Sequence, residues 1–491
     1  MNPSLLCETV TGTTMAELVA ARDAATRADM VELRLDGVTD PDVAQALHGR
    51  RVPVIVTCRP RWEGGRFDGS EEERRRLLAA AFESGAEHVD IEWRAEFSEL
   101  IQTYPQRAVV SSHDFFGVPG DLCGRVGAMR ATGAAVIKVA ITAARLSDTL
   151  PLLDIAKAGD AVVIGMGDAG MPSRLLASRF GSRWTYSGKG VAPGQLPTAE
   201  MLNRFRFRAA GAGAAVYGVV GNNVMRSLSP AMHNAAFGAT GIDAVYVPLR
   251  AADFDDFLSF ADGLGVAGAS VTIPFKHDAL RAARSTDGLT RQVGAANTLR
   301  RRAGMWEATN SDVDGFLEPL DAVVGRHSLE GMRASVLGAG GAARAVIVAL
   351  RSRGASVTVH ARRTEQASEV AASLGANVGP WPPLAGSWDL LVNCTPLGSA
   401  SAPAASPLPG GPFDGRAVYD LTYGREMSPL VHDAMRAGCV TLDGLPMLVA
   451  QAERQFEWWT GQRAPDGVMK AAALSETGRA EEMRKGIGPC A

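Results

Sequence analysis

No apolar run in this 491-residue chain approaches the ~20 residues that a membrane-spanning helix needs. The six cysteines are scattered, with neither a C-x-x-C pair nor a His/Cys cluster at zinc spacing, so no metal site is predicted. The formal net charge of −3 gives no general attraction to nucleic acid or anionic membranes. The first residues also lack the basic and apolar regions of a secretory leader. We therefore expect a cytoplasmic protein with reduced thiols and without nucleic-acid or membrane partners.

The length and the 46% hydrophobic content suffice for two to four packed domains. In the N-terminal block, helix-length amphipathic segments such as EEERRRLLAAAFESG alternate with eight short strand-like runs: LLCETV, DMVELRL, VPVIVTC, EHVDIE, RAVVSSH, AVIKVAI, DAVVIGM and RWTYS. Such alternation implies parallel strands joined by right-handed crossovers. Eight units predict a closed (β/α)₈ TIM barrel. An open doubly wound sheet is the alternative.

One lysine interrupts the apolar run VIKVAI, which has the pattern of a strand buried on both faces. Lys138 is either an edge or snorkelling lysine, or a desolvated amine that can attack a carbonyl. The chemistry of a TIM barrel lies where strands end and βα loops begin, and polar residues recur at those places. They are Glu32, Arg34, Arg59, Glu92, His113, Arg174 and Gln195.

Each of these polar residues also has a structural interpretation: Arg34 could pair with Asp36, and His113 could be a hydrogen-bonded core residue. Burying so many charges together without a ligand would however be costly. As a set they suit an anionic, polyhydroxylated keto acid, because an arginine can grip its carboxylate at two points while the lysine takes the ketone.

The motifs VELRLD, TCR, DIE, SSHDF, IKVA, SR and APGQ, in this order, resemble those of the type I 3-dehydroquinate dehydratase family. The resemblance implies that Lys138 forms an imine with the substrate ketone, that His113 moves the protons and that Glu92 holds and orients His113. It further implies that Arg174 binds the carboxylate and that the ring is placed by Glu32, Arg34, Arg59 and Gln195. Val191 stands where that family usually has a small hydroxyl residue.

A second motif, VLGAGGAAR, has the order of a dinucleotide turn: a strand, a glycine-rich turn and a helix. Backbone amides at the helix N-terminus can approach a pyrophosphate there, around Gly338, Gly340, Gly341 and Ala342. The next strand ends in VTVHARRT, where Arg362, Arg363 and Thr364 replace the Asp or Glu that binds the ribose of NAD. Two guanidinium groups favour a 2′-phosphate, so we predict NADP(H) as the cofactor. A surface arginine pair is the alternative.

The motifs SLSP, SVTIPFK, GAANT, TNSD, DLTYG and DGLPMLVAQA resemble those of shikimate dehydrogenase. The resemblance implies that Lys276 and Asp312 are the catalytic pair. It implies that Ser227 and Ser229 bind the substrate carboxylate, and that the ring hydroxyls are held by Thr272, Asn297, Tyr423 and Gln451. Gly444 and Met447 would lie along the nicotinamide.

Together the two resemblances imply a bifunctional enzyme of the shikimate pathway, which dehydrates 3-dehydroquinate and then reduces 3-dehydroshikimate to shikimate with NADPH. We predict an α/β chain with the barrel at 1–207, a linker at 208–215, a substrate-binding domain at 216–325, a Rossmann NADP-binding domain at 326–440, helices returning to the substrate domain at 441–475 and a loose tail at 476–491. Two alternatives stay open: a Schiff-base aldolase fused to an NADP reductase, and a catalytically silent metabolite-sensing regulator.

Overall fold

The computed structural model describes residues 4–479, and the chain divides into two compact units. The first unit contains residues 4–216, together with 223–225 and 243–265. The second contains residues 217–222, 226–242 and 266–479. Within residues 4–479, no helix is both long and apolar enough to cross a bilayer.

Eight parallel strands of the first unit form a nearly closed barrel, which confirms the predicted fold. They are β1 (Leu5–Val10), β2 (Met30–Arg34), β3 (Val54–Thr57), β4 (His88–Glu92), β5 (Ala108–Asp114), β6 (Val136–Thr142), β7 (Ala161–Met166) and β8 (Trp184–Ser187). The strand order is β7-β6-β5-β4-β3-β2-β1-β8. At the seam between β7 and β8 the backbone N–H of Arg183 donates to the carbonyl oxygen of Ala161 at 3.0 Å.

Helices connect consecutive barrel strands, as the alternating pattern predicts. They are α1 (Met15–Ala24), α2 (Val43–Leu47), α3 (Glu71–Glu83), α4 (Ser98–Thr103), α5 (Leu122–Ala131), α6 (Leu150–Ala156), α7 (Met171–Leu175), α8 (Ala177–Phe180) and α9 (Thr198–Asn203). Short 3₁₀ helices cover Leu35–Gly37, Arg61–Glu63, Trp93–Ala95, Leu146–Thr149 and Phe207–Ala209. Helix α3 begins at a capping box in which Ser70 and Glu73 satisfy each other's backbone N–H groups.

Alternate residues of each barrel strand point inward, because side chains along a strand change face with every residue. One inward layer is apolar and consists of Cys7, Met30, Ile55, Val109, Val136, Val162 and Trp184. Two residues further along the same strands the buried layer is largely polar: Thr9, Glu32, Thr57, Ser111, Lys138 and Tyr186. The change from apolar to polar layers places the candidate site toward the C-terminal ends of the strands, where TIM-barrel sites lie.

The second unit begins with a mixed sheet. Strand β9 (Ala215–Gly221) and helix α10 (Ser229–Thr240) are followed by β10 (Ala244–Arg250) and α11 (Phe254–Leu264), which belong to the first unit. The chain continues through β11 (Val266–Val271), α12 (Lys276–Ala282), β12 (Ser285–Thr286), α13 (Gly288–Val293), β13 (Thr298–Arg302), β14 (Met305–Thr309) and α14 (Asp312–Val324). The sheet order here is β9-β11-β13-β14-β12, and β13 is antiparallel to both of its neighbours.

A parallel sheet with the order β17-β16-β15-β18-β19-β20 completes the second unit and confirms the predicted Rossmann-like fold. After a 3₁₀ helix at Arg326–Leu329 come β15 (Arg333–Leu337), α15 (Gly341–Ser352), β16 (Ser356–His360), α16 (Thr364–Leu374), β17 (Asn377–Val378), β18 (Leu390–Asn393), β19 (Ala417–Asp420), α17 (Pro429–Arg436) and β20 (Val440–Leu442). Such a sheet presents ligand sites beyond the carboxyl ends of its strands.

Two helices follow the parallel sheet: α18 (Leu445–Thr460) and α19 (Val468–Thr477). Helix α18 packs closely on α14, where a Cβ on Gly315 would lie 2.7 Å from Cβ of Gln451, so only glycine fits. Of the predicted tail 476–491, the part from 480 onwards lies outside the described residues. The predicted domain boundaries stay predictions.

Candidate active sites

The centre of the barrel holds Lys138 between two carboxylates. Its Nζ lies 3.0 Å from Oδ2 of Asp90 and 3.3 Å from Oε1 of Glu32. The ring of Tyr186 faces the same nitrogen, with its centroid 4.2 Å away. The lysine is therefore buried, as expected, but its neighbours are charged rather than aliphatic. Ion pairing offsets part of the desolvation cost of the ammonium.

Arg59 connects Asp90 to a third carboxylate, that of Glu92. Its guanidinium lies 2.9 Å from Asp90 Oδ2 and 2.7 Å from Glu92 Oε1, and it donates to Ser111 Oγ at 2.8 Å. Burial alone would raise the pKa of Asp90, but the charges of Arg59 and Lys138 lower it instead. Glu92 is also paired with Arg74, and burial raises the pKa of its carboxyl.

His113 is held by Glu63, and this corrects the role predicted for Glu92. Oε1 of Glu63 accepts a hydrogen bond from the backbone N–H of His113 at 2.7 Å and lies 3.3 Å from its Nδ1. The hydrogen-bond and ion-pair partners of Glu92 are Arg59 and Arg74, because Glu92 points into the buried ion-pair network. Burial lowers the pKa of His113 to about 4, and the charge of Arg59 adds to this effect.

Glu63 was not predicted from the sequence, because only polar residues near the ends of the barrel strands were considered. Glu63 closes the 3₁₀ helix Arg61–Glu63, four residues beyond Arg59 in the loop after β3. A signal was present in RPRWEGG, where a carboxylate stands in a βα loop just after a predicted site arginine. Since βα loops supply the catalytic side chains of TIM barrels, the loop could have been searched as well.

Arg174 is a buried guanidinium without a carboxylate partner within residues 4–479. Its Nη2 donates to the carbonyl oxygen of Pro193 at 3.2 Å, while Nε has no hydrogen-bond partner there. Burial lowers the pKa of the guanidinium to about 10. A buried cation of this kind is suited to an anionic group of a ligand, which would satisfy both its charge and its free donor.

The other three residues predicted to place the substrate ring are engaged by the protein itself. Arg34 forms a two-point ion pair with Asp36, at 2.7 and 2.9 Å. This pair is the structural interpretation of Arg34 that the sequence also allowed. Glu32 accepts hydrogen bonds from Thr57 at 2.9 Å and Thr9 at 3.0 Å. Gln195 Nε2 donates to Ser187 O at 2.8 Å and to Thr9 Oγ1 at 3.0 Å.

In the second unit Lys276 and Asp312 form a close pair. Lys276 Nζ donates to Asp312 Oδ2 at 2.6 Å, and each residue begins a helix, α12 and α14 respectively. Asn297 Nδ2 donates to the other carboxylate oxygen of Asp312 at 2.7 Å and lies 3.4 Å from Gln451 Oε1. Four of the predicted residues thus converge on one cluster.

The remaining predicted substrate ligands lie at the ends of other elements. Ser229 begins α10, and its backbone N–H donates to Ser227 Oγ at 3.2 Å. Thr272 follows β11 directly, and its backbone N–H donates to Val220 O at 3.0 Å. Tyr423 lies just beyond β19, and burial raises the pKa of its phenol.

The glycine-rich turn approaches neighbouring groups closely. Gly338 has φ +106°, which side-chain-bearing residues rarely adopt. A Cβ on Gly341 would lie 3.1 Å from Cδ of Lys276, so the glycine lets the turn approach the stem of that lysine. Gly340 and Ala342 flank this position at the start of α15. The N-terminus of this 12-residue helix is suited to phosphate.

The residues predicted to surround the two ends of the cofactor lie after β16 and around the start of α18. Arg362 and Arg363 are exposed between β16 and α16, and Thr364 begins α16. Gly444 precedes α18, and a Cβ there would lie 2.1 Å from the carbonyl oxygen of Leu421, so no other residue fits. Met447 is buried in the first turn of the same helix.

An amine suited to carbonyl chemistry in one unit and a dinucleotide turn in the other define the class of protein: a two-site α/β enzyme that couples a lyase-type barrel to an oxidoreductase. Three family models match the chain: type I 3-dehydroquinase at residues 6–211, the shikimate dehydrogenase substrate binding domain at 219–299 and the shikimate 5'-dehydrogenase C-terminal domain at 444–474.

The chain is also similar to named proteins. The chloroplastic bifunctional 3-dehydroquinate dehydratase/shikimate dehydrogenase of Arabidopsis thaliana is 32% identical, over 94% of this chain and 83% of the relative. The NADP(+) shikimate dehydrogenase of Halobacterium salinarum is 39% identical, over 52% and 97%. A crystal structure of a shikimate dehydrogenase in complex with NADP+ is 28% identical, with a TM-score of 0.50, over 54% and 97%. The chain belongs to the family of bifunctional 3-dehydroquinate dehydratase/shikimate dehydrogenases.

Proposed function

We propose that this chain catalyses two consecutive steps: the barrel dehydrates 3-dehydroquinate to 3-dehydroshikimate, and the second unit reduces that product to shikimate with NADPH. The observation that carries the first step is the buried amine of Lys138 on the same barrel face as an imidazole held by a carboxylate. For the second step it is the pair of Lys276 and Asp312 beside the glycine-rich turn.

In the dehydration, the neutral amine of Lys138 adds to the substrate ketone, and loss of water leaves a protonated imine. The positive nitrogen withdraws electrons, so the proton on the adjacent carbon becomes acidic enough for a base to remove. His113 accepts that proton and returns it to the departing hydroxyl, which leaves as water. Hydrolysis of the imine then releases the product and restores the amine.

Glu63 and Arg174 support this sequence in different ways. The carboxylate of Glu63 accepts from Nδ1–H of His113 and so leaves Nε2 free to take a proton. Arg174 binds the substrate carboxylate with the donor that has no partner within residues 4–479. Glu32 and Asp90 lie 3.3 and 3.0 Å from Nζ of Lys138 and fix the position of the amine.

NADPH, when bound, supplies the hydride for the reduction. Lys276 donates a proton to the carbonyl oxygen, and Asp312 orients the lysine and holds a ring hydroxyl together with Asn297 and Gln451. Ser227 and Ser229 bind the carboxylate, with Thr272 and Tyr423 on the ring. The pyrophosphate lies against the glycine-rich turn, at Gly338, Gly340, Gly341 and Ala342. The 2′-phosphate is bound by Arg362, Arg363 and Thr364. The nicotinamide lies along Gly444 and Met447. The cytoplasmic location stays a prediction.

One coupled assay tests the proposal. The purified chain, given 3-dehydroquinate and NADPH, should oxidise NADPH and form shikimate. Given 3-dehydroquinate alone, it should produce the ultraviolet absorbance of the enone. If neither signal appears with fully folded protein, the proposed function is wrong.

A further inference from the structure

Arg74 lies on α3, a helix outside the barrel, yet its side chain is completely buried. Its two neighbours in the sequence, Arg75 and Arg76, have side chains that are 44% and 68% exposed. Of the three consecutive arginines, only Arg74 is turned inward. Arginine is almost never fully buried unless it is paired, so this position needs a partner.

The guanidinium of Arg74 is paired on both sides. Nη1 donates to Oε2 of Glu92, which is buried inside the barrel. Nε and Nη2 donate to Oε2 of Glu71 at 3.0 and 2.6 Å, and the side chain of Glu71 is half exposed. The ring of Phe97 covers the guanidinium, with its centroid 4.7 Å away. The side chain is therefore held in one geometry by contacts on several sides.

From Arg74 a chain of alternating charges leads to the amine. Glu92 contacts Arg59 at 2.7 Å, Arg59 contacts Asp90 at 2.9 Å, and Asp90 contacts Lys138 at 3.0 Å. Each link is buried, so solvent screens none of them strongly. The position of the amine thus depends on a series of contacts that begins outside the barrel.

The buried charges of this network balance. Three cations, Arg74, Arg59 and Lys138, face three carboxylates, Glu92, Asp90 and Glu32. Loss of the outer cation would leave Glu92 with Arg59 alone. Arg59 would then shift toward Glu92, or Glu92 would take up a proton, and either change weakens the hold on Asp90. Burial already raises the pKa of Glu92, so its charged form depends on its partners.

We infer that Arg74 is a positioning residue for the dehydratase reaction, which fixes the amine of Lys138 through Glu92, Arg59 and Asp90. The inference rests on the proposed dehydratase activity of the barrel. It assigns to the buried Glu92 a structural task in place of the orientation of His113.

The test compares Arg74→Met with Arg74→Lys, and uses Arg75→Met as the matched control on the exposed face of the same helix. Dehydratase kcat of Arg74→Met should fall about 10- to 100-fold, the order of loss that a misplaced reacting group produces. Arg74→Lys keeps the charge and should recover most of the rate, whereas Arg75→Met should match the wild type. Shikimate dehydrogenase activity, measured on the same preparations, should be unchanged in every variant.

The double variant Arg74→Met/Glu92→Gln removes both charges and tests whether the effect passes through Glu92. It should be several-fold more active than Arg74→Met and slower than the wild type. If Arg74→Met does not fold, the folded double variant decides the question. A dehydratase kcat equal to that of the wild type overturns the inference, and a lower kcat supports it. A wild-type rate in folded Arg74→Met also overturns it, as does a double variant no faster than Arg74→Met. An inactive wild type instead refutes the proposed function.

Discussion

Oε1 of Glu63 contacts His113 twice, at 2.7 Å from the backbone nitrogen and at 3.3 Å from Nδ1 of the ring. A carboxylate can only accept hydrogen bonds, so this contact selects the tautomer with the proton on Nδ1. Nε2 then carries the free lone pair. The loop after β3 thereby holds the imidazole in the tautomer that the proposed base requires.

We predict that Glu63→Gln lowers dehydratase kcat by about 100-fold or more, because general bases typically contribute 10²–10⁴-fold. The amide can offer an N–H group to Nδ1, which favours the tautomer that lacks a free lone pair on Nε2. Steady-state kinetics at saturating 3-dehydroquinate measure the effect. Glu83→Gln, at an exposed position of α3, is the control and should retain the full rate. Equal rates in the two variants would exclude Glu63 from the mechanism.

The acid limb of the dehydratase profile should lie well below the usual pKa of histidine, ~6.5. Burial lowers the pKa of His113 to about 4, so the base is neutral above that pH and is lost by protonation only as the pH falls through it. The hydrogen bond that His113 donates to Glu63 opposes this shift, so Glu63→Gln should move the limb to still lower pH. The measurement is kcat/KM against pH, which reports the titration of groups in the free enzyme. A limb near 6.5 in the wild type contradicts the buried, neutral imidazole.

The fold was largely predictable because the strands of both parallel sheets are buried, and their sequences are short apolar runs between helix-length segments. The barrel strands from LLCETV to RWTYS all appear where these runs occur. Lys138 could be singled out for the same reason, since a charge in such a run is conspicuous. The Lys276–Asp312 pair was predicted from the resemblance to shikimate dehydrogenase, and the structure places the two side chains 2.6 Å apart.

Some partners of side chains were not predictable, because hydrogen bonding depends on geometry across the fold. Glu92 lies two residues after Asp90 on β4 and was predicted to orient His113. In the structure its carboxylate accepts hydrogen bonds from Arg59 and Arg74 instead. The burial of Arg74 could not be read from three consecutive arginines in a helix. Which of the three arginines faces the barrel depends on how α3 packs. The amphipathic pattern of this helix is too weak to identify that arginine.

The two lysines should separate the two activities. We predict that Lys138→Ala abolishes dehydration while it spares shikimate oxidation, and that Lys276→Ala does the reverse, since each amine serves only its own site. Borohydride added with 3-dehydroquinate should reduce the imine and leave a covalent adduct on Lys138, which peptide mass spectrometry can locate. Lys276→Ala should still be labelled. A label on another residue, or normal turnover by Lys138→Ala, disproves the imine mechanism.

Cofactor choice should depend on the exposed arginines after β16. We predict that Arg363→Ala raises KM for NADPH about tenfold or more, because a charged hydrogen bond contributes about 1.5–3 kcal/mol, while KM for NADH changes little. Arg436→Ala, an exposed arginine at the end of α17, is the control and should leave both values unchanged. An equal rise in KM for NADPH and for NADH would show that Arg363 does not contact the 2′-phosphate.

Val191 offers a gain-of-function test in the loop that Gln195 organises. The backbone N–H of Ala192 donates to Gln195 Oε1 at 3.1 Å, so the loop is already folded around this side chain. A hydroxyl at the half-buried position 191 can add a hydrogen bond to the substrate, and we predict that Val191→Ser raises dehydratase kcat/KM several-fold. Val323→Ser, at a valine 48% exposed in the second unit, is the control and should have no effect. A lower kcat/KM in Val191→Ser would mean that the valine packs against the bound ring and that its apolar contact matters more than a hydroxyl.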